Sequence, residues 1–139
     1  MCSFLIACAV MVVCSSTADA AELKPLATWS GGSTAEEDSD LWRKMPKSGV
    51  VRDNASWLAL HQTWKFTKQL PAIDFSKEMV LVTAGPGPNK VAVLTLDIDE
   101  ERNDITYTAV MTEIAGPGFV CHLVRVPKVD YLNGRAIGN

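Results

Sequence analysis

The clearest hydrophobic periodicity in the chain lies in 56–84, S-W-L-A-L-H-Q-T-W-K-F-T-K-Q-L-P-A-I-D-F-S-K-E-M-V-L-V-T-A. Trp57, Leu60, His61 and Trp64 fall at i, i+3, i+4 and i+7, the spacing of one helix face. Asp53 or Asn54 supplies the N-cap, since a short side-chain oxygen can accept the free N–H groups of the first turn. Lys65 and Lys68 suit the negative end of the helix dipole, and Pro71 forbids continuation, so the pattern predicts a helix running to about residue 69 or 70. Each tryptophan can bury about 150–250 Å², which makes the stripe a core anchor rather than a ligand cage. Ile73-Asp74-Phe75 then reads as a corner, with Asp74 bonding backbone N–H groups ahead of it. The unbroken apolar run 78–83 reads as a strand covered on both faces.

Beyond a Gly-Pro-Gly-Pro-Asn loop at 85–89 the period changes to two. In 90–98 (K-V-A-V-L-T-L-D-I) the even positions Ala92, Leu94, Leu96 and Ile98 are expected to face inward. A polar turn at 99–104 leads to a β-branched, aromatic-rich strand at 105–112. Gly116-Pro117-Gly118 ends that region. Residues 119–126 form a further strand, stopped by Pro127, and 129–132 adds a short last piece. Short links favour antiparallel neighbours. The expected fold is α+β: an antiparallel meander sheet or partly closed barrel of four to six strands with one packed helix, a single domain over 48–132. Residues 21–47 are weakly patterned. A short strand at 26–29 is broken by Gly31-Gly32, and an acidic run follows at 36–40, so this stretch reads as a solvated, mobile lead-in. Residues 133–139 read as a loose tail.

The opening of the chain adds localisation. Residues 3–13 are uncharged and almost wholly apolar, yet far short of the ~20 needed to span a bilayer. Ala18-Asp19-Ala20 follows with the small-x-small pattern of signal-peptidase sites. Residues 1–20 are therefore expected to be a signal peptide, and the protein secreted or periplasmic. Lipidation at Cys14 is the rival reading and the only route to membrane contact, but Met11-Val12-Val13 lacks the small residue that precedes a lipidated cysteine. Of the four cysteines only Cys121 lies beyond the signal, so stability rests on packing rather than an intrachain disulfide. With 13 basic and 16 acidic residues the net charge is −3, not the basic excess of a nucleic-acid binder.

Sites of chemistry are mostly missing. Asp97-x-Asp99-x-Glu101 opens like a calcium loop but has Arg102 where glycine is wanted and Thr108 where a bidentate Glu belongs, so it reads as a hairpin tip. His61 and His122, the two histidines, sit in no ligand spacing, and no cofactor or metal is expected. Cys121 and His122 are adjacent on a strand and should point to opposite faces, which disfavours a Cys–His nucleophile pair; Cys121 reads as a small buried hydrophobe. No G-x-S-x-G occurs. Asn54-Ala55-Ser56 is a glycosylation acceptor by pattern alone. Ala-Gly-Pro-Gly occurs twice, at 84–87 and 115–118, and neither copy leads into a phosphate-binding helix. Both read as strand-ending turns. If they lie together at one sheet end, Gly85, Pro86, Gly87, Pro88, Gly116, Pro117, Gly118 and Phe119 are the candidate partner-binding residues, with Pro88 and Phe119 at the front.

Trp64, Leu70-Pro71, the run Ile73-Asp74-Phe75-Ser76-Lys77-Glu78-Met79-Val80 and the ending Val124-Arg125-Val126-Pro127-Lys128 together resemble the PrcB C-terminal domain family, over roughly 48–128. The family is named for a non-catalytic accessory chain of a secreted serine-protease complex. The resemblance implies an exported, non-enzymatic interaction domain whose partner is an exported protease or another secreted protein. It carries over no catalytic residues, and the loop 85–90 departs from the Thr-Gly-Gly-Tyr-like turn of family members. A small-ligand carrier using the aromatic helix face, and a hydrolase or thiol enzyme using Cys121 or His61, are the alternatives.

Overall fold

The computed structural model describes residues 20–138; the expected signal peptide up to residue 19, Cys14 included, lies outside the described residues. The chain is α+β and mostly β. In order its elements are β1 (Ala21–Glu22), β2 (Ala27–Ser33), 3-10 turns at Glu36–Asp38 and Leu41–Lys44, β3 (Val50–Val51), α1 (Asn54–Thr63), β4 (Glu78–Pro86), β5 (Val91–Asp99), β6 (Asp104–Met111), β7 (Phe119–Pro127), β8 (Tyr131–Leu132) and β9 (Arg135–Ala136). They form two open sheets, one in the order β2-β7-β4-β3 and one in the order β1-β5-β6-β8-β9. All pairs are antiparallel except β6 with β8.

Strands β4 and β7 pair along their whole lengths, from Glu78 opposite Pro127 to Pro86 opposite Phe119, and form the centre of the molecule. Strand alternation sends their side chains into two separate cores. Val80, Val82, Phe119, Cys121 and Leu123 pack against Trp57, Leu60 and Trp64 of the helix layer. Met79, Leu81, Val124 and Val126 pack against Ile105 of the second sheet. The result is three layers, helix on sheet on sheet, with the consecutive apolar residues Met79, Val80, Leu81 and Val82 of β4 covered alternately on its two faces. Between the sheets the Thr83 and Tyr107 hydroxyls are 2.8 Å apart, so each half-buried hydroxyl has a partner.

The helix starts as expected. The Asp53 carboxylate accepts from Ser56 N–H at 2.7 Å. Trp57 and Trp64 are buried, and each uses its indole N–H to fasten a distant segment: Trp57 Nε1 donates to Pro71 O at 3.0 Å and Trp64 Nε1 to Leu41 O at 2.8 Å. The helix ends at Thr63, six or seven residues before the expected stop. Lys65 takes φ +54°, and Lys65 N–H and Phe66 N–H return to Gln62 O and His61 O, a left-handed Schellman closure that ends the helix without glycine or proline. The Asp74 corner forms, with Asp74 Oδ1 accepting from Ser76 N–H at 3.1 Å and Phe75 buried beneath it.

Three stretches differ from expectation. Residues 21–47 are no detached lead-in: β2 continues through Gly31 and Gly32 to pair with β7 over seven residues, and Trp29, Leu41, Trp42 and Met45 pack on the helix-side core. The expected loose tail is tied in as far as Ile137, through the β8–β9 hairpin and by Arg52 donating to Ile137 O at 3.1 Å. The alternation of β5 breaks at a bulge between Val93 and Thr95. Leu96 and Ile98 face the core as expected, but Leu94 is the extra residue and is 64% exposed.

Candidate interaction site

The two Ala-Gly-Pro-Gly copies come together at one end of the β4–β7 ladder. Because these strands are antiparallel neighbours, the end of β4 and the start of β7 meet, and Gly87 N–H donates to Gly118 O at 2.9 Å. Gly87 at φ +68° and Gly118 at φ +88° need the left-handed region that glycine enters freely. A side chain on Gly118 would also collide with Ser33 O. Gly118 N–H donates to Ser39 Oγ at 2.9 Å, so the segment after β2 braces the same junction.

A residue that the sequence did not single out locks the cluster. Asn89 is buried, 9% exposed. Its Nδ2 donates to Pro86 O at 2.6 Å, while its Oδ1 accepts from Ile114 N–H at 2.7 Å and from the Thr112 hydroxyl at 3.0 Å. Thr112 Oγ1 in turn accepts from Lys90 N–H at 2.9 Å. One amide thus joins both loops with donor and acceptor used. An asparagine after Pro-Gly-Pro looks like ordinary turn composition, and only the partner loop reveals its role.

The eight candidate residues separate into two sets. Pro86, Pro88, Gly116 and Pro117 are exposed, while Gly85, Gly87 and Gly118 are buried supports. Phe119 does not front the surface as expected. It is 3% exposed and its ring lies 5.6 Å from that of Trp64, because β-strand parity at the start of β7 turns it toward the helix. Ile114, 54% exposed, takes the outward apolar position instead. No charged residue occurs from 79 to 89 or from 114 to 124, so the tip is neutral, apolar and held at close backbone spacing.

The reactive candidates do not converge. Cys121 is fully buried on the helix side, and burial pushes its thiol up to about 12. His122, one residue on, faces the other way. It lines an open cleft of about 560 Å³ between the sheets, with Leu23, Thr28, Val93, Leu94 and Leu96 among its walls. Its Nδ1 lies 2.9 Å from Ser30 Oγ, and burial lowers its pKa below the usual imidazole range. His61 sits on α1, its Nε2 2.8 Å from Lys68 O. The Asp97–Glu101 stretch ends β5 in a hairpin whose tip is closed by Asp99 Oδ1 accepting from Arg102 N–H at 3.0 Å. Among the described residues no group of three or more His, Cys, Asp or Glu gathers to hold a metal ion, and no helix is long and apolar enough to cross a membrane.

No family model, no curated protein and no solved structure matches the chain.

Proposed function

We propose that this is an exported, non-catalytic interaction domain that presents the paired Gly-Pro loops to a protein partner. The observation that carries the reading is the Asn89 clamp. It fixes two loops remote in sequence into one neutral, proline-faced surface, so little ordering entropy is lost on docking. Such a surface on a rigid sheet end is the usual setting for binding function. The resemblance to the PrcB C-terminal domain family supplies the class of partner, an exported protease that the domain stabilises or regulates. Trp57 and Trp64 are buried in the core, which weighs against a ligand carrier built on the aromatic face of α1, and the buried, weakly acidic Cys121 is a poor nucleophile.

The test is capture from the organism's own secreted or periplasmic fraction with the tagged chain starting at Ala21, compared with a Pro88→Asp/Pro117→Asp variant. Both prolines are exposed, so the variant should fold unchanged. A protease recovered with the wild type and lost with the variant is the expected result. Equal recovery with both, or no enrichment with either, overturns the proposal.

A further inference from the structure

Strand edges distinguish this protein. The outer strands β3, β1 and β9 are each two residues long, and β5, behind β1, carries the bulge at Leu94. Short and bulged edges are how sheets avoid pairing with other chains. Among the described residues the longest outermost strand is β2. It runs seven residues in unbroken register with β7, and its sequence Ala-Thr-Trp-Ser-Gly-Gly-Ser holds no charge and no proline.

From this we infer that β2 pairs with β2 of a second copy, antiparallel about a twofold axis through Ser30, joining two four-stranded sheets into one of eight. The strand is self-complementary in that register. Ser30 meets Ser30, Thr28 meets Gly32, and Trp29 meets Gly31, so each large side chain falls opposite a glycine. Opposed residues share a face, which brings Trp29 of one copy beside the partner copy's Gly31. There the Phe66 ring already covers the glycine, and a Cβ would have no room. Within one copy Trp29 lies 5.8 Å from Trp57, and Phe66 lies 6.0 Å from Trp64. Pairing runs these two aromatic couples into one row across the junction, where edge and tilted contacts are favourable. Leu26, Val93 and Leu94 are exposed large apolar residues; Val93 and Leu94 line the cleft that Thr28 of β2 also lines, and Leu26 directly precedes β2. Strand β2 leads at its far end, through Ser33, to the Gly-Pro loops; antiparallel pairing puts the two loop clusters at opposite ends of the composite sheet, free to bind.

The test is sedimentation velocity and light scattering of the chain starting at Ala21, across concentration, with Ser30→Lys and Ser30→Glu. Ser30 is exposed, so either substitution leaves the fold intact, which circular dichroism checks. Like charges on the axis should weaken dimerisation by about tenfold or more, and an equimolar mixture of the two variants should restore it. A wild type that stays monomeric to about 1 mM, or a dimer that neither variant weakens, overturns the inference. Binding through the Gly-Pro loops should survive both substitutions, so the two proposals fail separately.

Discussion

Replacing Asn89 by alanine tests the clamp. The side chain makes three hydrogen bonds, to Pro86 O, Ile114 N–H and the Thr112 hydroxyl. Each neutral bond contributes about 1 kcal/mol net, and an orphaned buried group costs about 1–3 kcal/mol. Pro86 and Ile114 are exposed residues, so water recovers part of the loss. The expected cost is about 2 kcal/mol. For a domain of this size that lowers Tm by about 8 °C. If opening of the two loops is local, amide exchange at Gly87 and Ile114 should also accelerate about thirtyfold. Calorimetry and hydrogen-exchange mass spectrometry read the two effects. Lys90→Ala is the control, since the Lys90 contribution to the network is its backbone N–H. A Tm within about 1 °C of wild type, with exchange at Gly87 unchanged, would refute the clamp.

Phe119→Ala should cost about 3–5 kcal/mol, as a core ring does, seen as a lowered denaturant midpoint; a loss under 1 kcal/mol would return Phe119 to the surface. Acid should destabilise the fold. Lys65 lowers Asp38, the Ser56 N–H lowers Asp53, the Ser76 hydroxyl lowers Asp74 and Arg125 lowers Glu78. Folded pKa values below the unfolded ones give stability that is complete above about pH 4.5 and lost as pH falls through the folded values. His122, lowered by burial, acts in the same direction from about pH 6.5 downward. A Tm that stays level from pH 6 to pH 3 would contradict this. In the chain starting at Ala21, Cys121 should resist a thiol probe at neutral pH until the protein is unfolded; labelling of the native protein at the rate of a free thiol would show an accessible thiolate.

Local signals carried the parts of this fold that local physics decides. The Asp53 cap, the buried Trp57 and Trp64, the Asp74–Phe75 corner and the doubly covered β4 follow from residue type and spacing within a few positions. The opposite orientations of Cys121 and His122 follow from strand parity alone. What was not legible depended on partners far along the chain. Gly31-Gly32 looks like a break until β7 pairs across it and Phe66 lies over Gly31. The helix end at Thr63 rests on Lys65 adopting φ +54° with its ammonium 2.6 Å from Asp38 Oδ1, a contact that requires the 3-10 turn before it to be in place. The partition into two sheets arises because β4 skips its neighbour hairpin and pairs with β7. At the candidate site the repeated Ala-Gly-Pro-Gly was visible, and the Asn89 amide that joins the copies was not.

The central claim, that the Gly-Pro tip is the docking surface, is tested most directly by site-specific photo-crosslinking. A benzophenone amino acid is placed at Pro117 on the tip, or at Leu58, exposed at 46% on α1, and the tagged chain is irradiated in whole-cell extract and culture medium of its source. A discrete protein adduct from position 117 and none from 58 is the expected result. An adduct from 58 alone, or the same adduct from both, would contradict it.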